Sequence, residues 1–285
     1  MSFSEEASAK INLFLHVGER RADGFHPLQS LAVFTGMGDV LRADAASQLA
    51  LTVDGPFSEG LSGEGDNLVL RAARALAAEA GTLAGAALTL TKNLPVASGI
   101  GGGSADAAAA LRALKALWRV EISDAALMDI AATLGSDVPV CVPSQAAYME
   151  GRGEILTPVA IPHLPLLLVN PGVAVPTRDV FAALQTRSGA GQELPRDGFA
   201  DVRALLAFLK MTRNDLEDPA RRLQPVIADV LDVLAALPGA VLARMSGSGA
   251  TCFALFADDA ACAGAARALK IAQPGWWVAP THTGS

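Results

Sequence analysis

A run of glycines followed by a serine and an alanine-rich segment is the part of the sequence best suited to chemistry. The stretch LPVASGIGGGSADAAAALRAL covers residues 94–114 and places Gly99 and Gly101–Gly103 before Ser104. Backbone amides without surrounding side chains can approach an anion closely, and a helix that starts there adds free N–H groups and the positive end of its dipole. The pattern suits a polyphosphate. A glycine-rich turn that only lets a helix pack closely uses the same residues, so both interpretations stay open on this evidence.

Two common phosphate-binding patterns do not fit the run. The Rossmann fingerprint, counted from Gly99 and Gly101, requires a third glycine where Ser104 stands. The Walker pattern requires a lysine and then a serine or threonine after the glycines, and none follows. What remains is a loop of backbone amides at the start of a helix.

Alternating and helical patterns predict the elements that would position the run. AALTLTK (residues 86–92) reads as a strand that leads to it, and residues 104–118 read as the helix that follows. KINLFLHV (residues 10–17) also alternates, which puts Lys10 and Asn12 on one face of a strand. Because strands and helices interleave without a regular βαβα order, we expect two α+β domains rather than a doubly wound sheet.

Local signals predict several further boundaries. One helix is expected to end at Gly81, and another is expected to follow Ser123 as its N-cap. The segment SDVPVCV is expected to return to extended chain at Pro139. Residues 218–239 are expected to form one amphipathic helix because their apolar residues recur at helical spacing.

Length and composition indicate a globular protein with two domains. At 285 residues the chain exceeds the usual size of one domain, and 51% hydrophobic with 18% charged residues argues against disorder. The proline-spaced segment LTPVAIPHLP (residues 156–165) is the predicted boundary, which gives domains 1–158 and 159–285.

Charge, hydropathy and cysteine usage limit the partners. The formal net charge of −7 disfavours nonspecific nucleic-acid binding, and no window has the roughly 18 uninterrupted apolar residues that a spanning helix needs. Glu5 and Glu6 stand where a secretory signal would carry positive charge, so we expect a cytoplasmic protein without a nucleic-acid or membrane partner. Cys141, Cys252 and Cys262 stand singly and are expected to be buried free thiols.

The glycine run resembles the phosphate-binding motif of the GHMP kinases, the superfamily of galactokinase, homoserine kinase and mevalonate kinase. Pro95 and Gly99–Gly101 fit that motif, except that Ile100 replaces its usual leucine. Gly102–Gly103 followed by Ser104 is typical of one branch, the kinases of 4-diphosphocytidyl-2-C-methylerythritol.

Further segments resemble that branch and follow its order. They are AKINLFLHVGERRADGFHPLQSL, TLGSDVPV, NPGVAVPT, NDLE and RMSGSGATCF, and the match runs from residue 9 to about residue 256. The resemblance implies a two-domain GHMP kinase fold, with an N-terminal domain like the second domain of ribosomal protein S5 and a ferredoxin-like C-terminal domain. It implies ATP-dependent phosphorylation of the substrate's 2-hydroxyl in the non-mevalonate isoprenoid pathway, with ATP and Mg²⁺ as cofactors.

The resemblance also implies catalytic and nucleotide-binding residues. Asp137 would orient the acceptor hydroxyl and take its proton late in a loose transition state, while Lys10 would pair with Asp137 and with developing phosphate charge. Ser104 would bond a phosphate oxygen or the metal. Lys92 would reach the nucleotide, although an ordinary strand-end lysine fits the same position. The implied ATP-binding residues are Lys92, Pro95, Gly99, Gly101, Gly102, Gly103 and Ser104.

Substrate contacts follow from the same resemblance. Phe25 would stack on the cytosine, with Phe181 as the opposite face, and His26 would hydrogen-bond the edge of the base. Tyrosine is common where Phe25 stands, and stacking needs only the ring face. Asn12 would contact the diphosphate or the acceptor, and Thr177 would lie near the methylerythritol.

The sequence does not decide the role of three features. The loop Ser246, Gly247, Ser248, Gly249 would return to the phosphates or the acceptor, but a hairpin turn uses the same residues. The NDLE segment, Asn214–Glu217, has no assigned role, and Asp215 or Asp218 would cap the following helix. The protein ligands of the metal are open, with Asp106 as one candidate that the helix dipole would also favour.

Two other functions compete with this interpretation. One is another small-molecule GHMP kinase of the homoserine or mevalonate type, which has little use for the aromatic-histidine pair Phe25–His26. The other is a non-catalytic nucleotide-binding relative, which would be expected to lack Lys10 or Asp137, and both residues are present.

Overall fold

The computed structural model describes residues 1–22, 24–59, 61, 67–189 and 192–283. Backbone contacts divide the chain into two units, each assembled from separate stretches of sequence. The first unit comprises Met1–Ala9, Met37–Val96 and Gly101–Ser144, and the second comprises Lys10–Gly36, Ala97–Ile100 and Gln145–Ser285. Two long strands, β1 (Ser2–Val17) and β2 (Leu28–Ala46), pair with each other and contribute residues to both units.

The first unit combines a short sheet with helices. Strand β3 (Ala50–Asp54) is parallel to β4 (Gly85–Thr91), and β4 is antiparallel to the Val40–Ala46 part of β2. The helices of this unit are α1 (Leu68–Ala80), α2 (Gly102–Trp118), α3 (Asp124–Leu134) and α4 (Val138–Cys141).

Helix α2 is the helix on which the others in the first unit pack, since α1, α3 and α4 all contact it. Its residues Ala107–Ala110 are fully buried. Small side chains let neighbouring helices approach closely without voids. The alanine-rich sequence after the glycine run is therefore explained by burial, and this packing holds the start of α2 in place.

The second unit contains the remaining strands and helices. The Leu28–Ala32 part of β2 is antiparallel to β5 (Ala147–Gly151), which pairs with β6 (Ile155–Pro158). An antiparallel sheet in the order β10-β7-β9-β8 is formed by β7 (Pro165–Asn170), β8 (Ala240–Met245), β9 (Cys252–Phe256) and β10 (Trp277–His282). Its helices are α5 (Thr177–Ala182), α6 (Val202–Lys210), α7 (Glu217–Leu223), α8 (Val226–Ala236) and α9 (Asp259–Ala272).

One apolar core joins the elements of the second unit. Leu167 of β7 and Phe256 of β9 pack in it with Ile227 of α8, Cys262 of α9 and Leu15 of β1. The end of β1 is thus anchored by burial in the core that also carries β8 and β9. The loop that joins β8 to β9 is Ser246–Thr251.

Several boundaries predicted from local signals are confirmed. Helix α1 ends at Gly81, which is left-handed at φ 61°, and the Ser123 side chain caps α3 by accepting from Ala126 N. The predicted strand over 10–17 is part of β1, and the one over 86–92 matches β4 except that Lys92 follows its last residue. The three cysteines are buried free thiols.

Three boundary predictions are wrong, for reasons involving glycine or proline. Helix α2 begins at Gly102 rather than at residue 104, so the last glycines of the run are its first turn. Pro139 lies inside the short helix α4, because proline is tolerated in a first turn, where its missing N–H has no intrahelical partner. The single helix expected over 218–239 is two helices, since α7 ends before Pro225 and α8 begins after it.

The predicted domains 1–158 and 159–285 stay a prediction, and the two units differ from them. Each unit is discontinuous in sequence because β1, β2 and the glycine run pass from one unit to the other. Among the described residues, no helix combines the length and the apolar character that crossing a membrane requires.

Candidate active site

Helix α2 begins with glycine residues, and among the described residues no side chain caps its N-terminus. Gly101 is its N-cap residue, with φ 67°. The first backbone N–H groups of any helix lack intrahelical partners and attract anions. At Gly103, which is exposed, an added Cβ would meet nothing nearer than Leu68 Cδ1 at 3.8 Å. Packing therefore does not require glycine at 103, which favours the interpretation in which the bare backbone faces a ligand.

Gly99, in the second unit, has a different requirement. Its φ is 77°, and an added Cβ would lie 2.6 Å from Gly249 O and 2.7 Å from Ser246 O. The Ser246 hydroxyl donates to Gly99 O at 3.1 Å. Glycine at 99 is thus demanded by close approach of the Ser246–Gly249 loop, and the structure brings these two predicted site segments together.

Strand β1 brings two predicted site residues to the same place in the second unit. Lys10 is only 3% exposed, unlike an ordinary solvated lysine. Its backbone N–H donates to Ile100 O at 2.9 Å. The Asn12 N–H donates to Ser246 Oγ at 3.2 Å, and the Asn12 side-chain amide donates to Ser30 Oγ at 2.8 Å. Lys10 and Asn12 therefore flank the junction between the glycine run and the Ser246–Gly249 loop.

The predicted base-binding residues lie in the second unit as two ring contacts. His26 and Phe181 are stacked, with ring centroids 6.0 Å apart and an interplanar angle of 29°. The His26 Nδ1 lies 3.0 Å from Gly18 O, which orients the ring. Phe25 is exposed, and the Arg152 guanidinium carbon lies 3.6 Å from its ring centroid. Phe181 is therefore paired with His26, and the cation occupies a face of Phe25.

Thr177 joins the Ser246–Gly249 loop through its hydroxyl. Thr177 Oγ1 and Ser248 Oγ lie 2.8 Å apart at the start of α5. Two segments predicted separately, NPGVAVPT and RMSGSGATCF, are thus in direct contact. Within the second unit the structure brings together the following predicted residues: Lys10, Asn12, Gly99, Thr177, Ser246, Gly247, Ser248 and Gly249.

The comparisons with known proteins concern the family of the chain. Residues 67–145 match the GHMP kinases N terminal domain, and residues 194–274 match the GHMP kinases C terminal domain. A 4-diphosphocytidyl-2-C-methyl-D-erythritol kinase from Cereibacter sphaeroides (strain ATCC 17029) is 54% identical over 278 residues, which cover 97% of each chain. The crystal structure of a 4-(cytidine 5'-diphospho)-2C-methyl-D-erythritol kinase is 35% identical, with a TM-score of 0.81 and coverage of 99% of this chain and 100% of that one.

The chain belongs to the 4-diphosphocytidyl-2-C-methyl-D-erythritol kinase family of the GHMP kinases. The predicted two-domain GHMP kinase fold is confirmed. A homoserine kinase from Cytophaga hutchinsonii matches with a TM-score of 0.73 over 99% of this chain and 94% of that one, but at 18% identity. That likeness shows the shared fold and gives no support to a homoserine substrate.

Asp137 lies in the first unit, immediately before α4. It is half-buried and occupies the N-cap position, yet its side chain makes no capping hydrogen bond to that helix. Capping, the ordinary structural use of an aspartate before a helix, therefore does not explain this residue. Pro95, Gly101–Gly103, Ser104 and Lys92 belong to the same unit.

Lys92 lies in a buried ion cluster that the sequence did not reveal. Its ammonium binds Asp39 and lies 2.6 Å from Asp106 Oδ2. Asp39 Oδ1 also accepts from the N–H groups of Asn93 and Leu94, at 2.6 and 2.8 Å, so it holds the chain just before the glycine run. Asp39 stands 53 residues from Lys92 in sequence, and no local pattern marks the pair.

Asp106 is unusual among the residues of this cluster. Burial raises its pKa to about 7, and the Lys92 ammonium only partly opposes that effect. Burial would lower the pKa of Lys92, but the carboxylates of Asp106 and Asp39 raise it. Asp106 Oδ1 is buried without a hydrogen-bond partner. A carboxylate oxygen without a hydrogen-bond partner, in the second turn of α2, is a ligand that a divalent cation could use.

Proposed function

We propose that this protein is an ATP-dependent kinase that phosphorylates the 2-hydroxyl of 4-diphosphocytidyl-2-C-methyl-D-erythritol in the non-mevalonate isoprenoid pathway. The structural observation that carries the proposal is the uncapped start of α2, where glycine is present without a packing requirement at Gly103. The relative from Cereibacter sphaeroides supplies the acceptor, because it is 54% identical over nearly the whole chain and is named as a kinase of this compound.

Phosphoryl transfer requires a protein to cradle phosphates, offset their charge and position the acceptor hydroxyl. We assign the cradle to the backbone N–H groups of Gly101–Gly103 and to the Ser104 hydroxyl, with Pro95 shaping the approach. Lys92 supports the cradle indirectly, since its ammonium is already engaged by Asp39 and Asp106.

The reaction also needs a side chain that orients the acceptor hydroxyl and a cation near the transferred phosphoryl group. We assign the first role to Asp137 and the second to Lys10. In a loose transition state the proton leaves late, so the Asp137 carboxylate chiefly orients the hydroxyl and then accepts its proton. A buried ammonium at Lys10 stabilises charge on the phosphoryl oxygens more strongly than a solvated one would.

Mg²⁺ fits the residues present as part of this proposal. In nucleotide sites it keeps several waters and binds phosphates plus one or two protein groups, so it needs no cage of side chains. Among the described residues, no group of three or more His, Cys, Asp or Glu is placed to hold a metal. The candidate ligands are the Ser104 hydroxyl and the orphaned Asp106 Oδ1. When bound, Mg²⁺ supplies charge neutralisation on the phosphate oxygens.

Recognition of the cytidine would use the ring contacts of the second unit. Phe25 offers a ring face for the base, and Phe181 offers another next to His26. Asn12 and Thr177 both adjoin the Ser246–Gly249 loop, and we assign them to the diphosphate and the methylerythritol respectively. Stacking rings suit a nucleobase and have little use on a small aliphatic acid.

The test is ADP release by purified protein with ATP, Mg²⁺ and 4-diphosphocytidyl-2-C-methyl-D-erythritol, run beside mevalonate and homoserine. Phosphorus NMR of the product locates the new phosphate. We expect turnover with the cytidyl compound alone and a phosphate on its 2-hydroxyl. Turnover with mevalonate or homoserine instead would overturn the acceptor assignment, and absence of turnover with all three would overturn kinase activity itself.

A further inference from the structure

The NDLE segment, Asn214–Glu217, is a motif that the proposed roles leave unused. We propose that it is the positioning element for the Ser246–Gly249 loop, with Asn214 as the residue that holds the loop in its working conformation. The proposal rests on the proposed function, because it assigns a purpose to the loop that adjoins Lys10 and Asn12.

The Asn214 side chain donates to two backbone carbonyls at the start of the loop. Its buried side-chain amide donates to Met245 O and to Gly247 O, each at 2.8 Å, so both N–H hydrogens are used. Its Oδ1 accepts from Leu216 N at 2.9 Å. Asparagine is suited to this position because one planar group supplies two donors and an acceptor. Leucine of similar size would leave two carbonyls without these donors.

Glu217 binds the same residue, Met245, through its backbone N–H. Its Oε2 accepts from Met245 N at 2.9 Å. Burial raises the pKa of Glu217, and this hydrogen bond opposes the rise by favouring the carboxylate. The N–H and C=O of Met245, the last residue of β8, are therefore both bound by side chains of one short segment.

The backbone of the segment is bonded to β1, the strand that carries Lys10 and Asn12. Leu15 N donates to Arg213 O at 3.0 Å, and Asp215 N donates to Leu15 O at 2.8 Å, which is a parallel bridge. Asp215 Oδ2 accepts from Val17 N at 2.8 Å. The segment thus connects β1 to the loop, and it sets the distance between them.

Neither Asp215 nor Asp218 caps the helix that follows, contrary to the expectation for this segment, and Asp218 lies within the first turn of α7. Helix α7 has Leu216 as its N-cap, without a side-chain capping bond. Asp215 instead accepts from Ser188 N, Ser188 Oγ and Arg213 Nε. Burial would raise the pKa of Asp215, but these hydrogen bonds and the one from Val17 lower it. Asn214, Asp215 and Glu217 each have a defined partner in β1, β8 or the β8–β9 loop.

The conformation of the loop matters because its residues adjoin the proposed chemistry. Ser246 Oγ bonds to both Asn12 N and Gly99 O, and Ser248 Oγ bonds to Thr177. Displacements of about 1 Å at a site of this kind reduce rates by as much as a hundredfold. Loss of the Asn214 donors should therefore lower kcat more than it changes binding of ATP.

The test uses Asn214→Asp, which keeps the size and the acceptor oxygen and removes both donors at neutral pH. We expect kcat with the cytidyl substrate to fall between about tenfold and a hundredfold, with KM for ATP changed by less than about threefold. The substituted carboxyl is buried and faces two carbonyl oxygens, so its pKa should lie well above the ordinary value for aspartate. As pH falls from 8 to 5.5 it should therefore gain a proton and one O–H donor, and the ratio of variant to wild-type kcat should rise. The proposal would be overturned by a fall in kcat that does not depend on pH and that is matched by a change of the same factor in KM for ATP.

Asp258→Ala is the control for general destabilisation. Asp258 caps α9 by accepting from Ala261 N at 2.8 Å, so its loss lowers the stability of the protein at a helix outside the loop. We expect its kcat to stay within about twofold of wild type. If Asp258→Ala lowers kcat as much as Asn214→Asp does, the effect is one of stability and the positioning role is wrong.

Hydrogen exchange followed by mass spectrometry tests the loop without any substrate, and so separates this proposal from the proposed function. In Asn214→Ala, peptides covering residues 245–251 should exchange about tenfold faster or more, while α9 peptides keep their rate. Uniformly faster exchange would overturn the proposal. If the wild-type protein fails to turn over the cytidyl compound while the loop alone becomes faster in the variant, the function is wrong and the positioning role stands.

Discussion

The Lys92 ammonium lies 2.6 Å from Asp106 Oδ2 and also binds the Asp39 carboxylate, in a cluster that is almost fully buried. The cluster joins the end of β4, the β2 strand and the second turn of α2 within the first unit. Because Asp39 also binds the N–H groups of Asn93 and Leu94, the cluster determines where the chain enters the glycine run. It is the support on which the proposed phosphate cradle depends.

Lys92→Met should destabilise the protein strongly, because it leaves two buried carboxylates without their cation. Breaking a buried ion pair from one side costs about 3–5 kcal/mol of unfolding free energy. Urea denaturation at pH 7.5 measures the loss. Lys270→Met, at an exposed position near the end of α9, should stay within about 0.5 kcal/mol of wild type. Equal unfolding free energies for the two variants would contradict a buried cluster at Lys92.

The raised pKa of Asp106 predicts a pH dependence of stability. The ordinary pKa is 3.8 and the folded value is about 7, so between these values the folded state keeps a proton that the unfolded state releases. This contribution to the unfolding free energy is therefore present at low pH and is lost as pH rises from about 4 to about 7. Asp106→Asn should remove that slope.

The measurement for Asp106 is the unfolding free energy of wild type and Asp106→Asn at intervals from pH 4.5 to 8. The difference between them should favour wild type most at the acid end and become level above about pH 7. Lys92 and Asp39 face Asp106 and both remain in the variant, so the comparison measures the titration of Asp106 together with its interaction with these two charges. Parallel pH profiles would show that Asp106 titrates normally.

Much of the fold and of the site could be predicted where neighbouring residues decide the outcome. Gly81 and Ser123 end or begin helices through their own backbone and side-chain preferences, and the alternation of residues 10–17 is sufficient to identify β1. The break at Pro225 was also a local signal, but the periodic apolar residues on both sides concealed it. The order of motifs along the chain identified the family because several must coincide.

The rest depends on contacts between distant residues, which composition and spacing do not encode. Asp39 meets Lys92 across 53 residues, and Asn214 meets Met245 across 31. The position of Lys92 before the glycine run fits a nucleotide contact and an ordinary strand-end lysine equally well, and neither interpretation includes the two carboxylates that engage its ammonium. The loop Ser246–Gly249 reads equally as a hairpin turn in the sequence, and its contacts with Gly99, Asn12 and Thr177 favour a second role.

Asp137→Asn should abolish most turnover while ATP still binds. The amide keeps the size of the side chain but cannot take the acceptor proton, so we expect kcat to fall by about 10²–10⁴. ATP affinity, measured by titration calorimetry with a non-hydrolysable analogue, should change by less than about threefold. A variant with wild-type kcat would remove Asp137 from the reaction.

Phe25→Ala should weaken binding of the cytidyl substrate. Base–aromatic stacking is worth about 1–3 kcal/mol, so KM for this substrate should rise roughly tenfold or more while KM for ATP stays level. Phe25→Tyr, which keeps the ring face, should behave like wild type. CMP inhibition competitive with the cytidyl substrate should weaken in Phe25→Ala by the same factor. CMP that competes only with ATP, in any of these proteins, would place the cytidine elsewhere.

The two ends of the glycine run should respond differently to alanine. Gly99→Ala puts a Cβ 2.6 Å from Gly249 O at φ 77°, so it should destabilise the second unit by about 1–3 kcal/mol in urea denaturation. Gly103→Ala replaces an exposed helical glycine where the nearest heavy atom is 3.8 Å away, so it should leave the unfolding free energy unchanged or raise it by about 0.5–1 kcal/mol.

If the bare backbone of Gly103 faces phosphates, the same alanine should raise KM for ATP at least about fivefold, although the protein is no less stable. Stability and nucleotide affinity then change in opposite directions at a single residue, which packing cannot produce. A Gly103→Ala protein with an unaltered KM for ATP would remove Gly103 from the phosphate cradle.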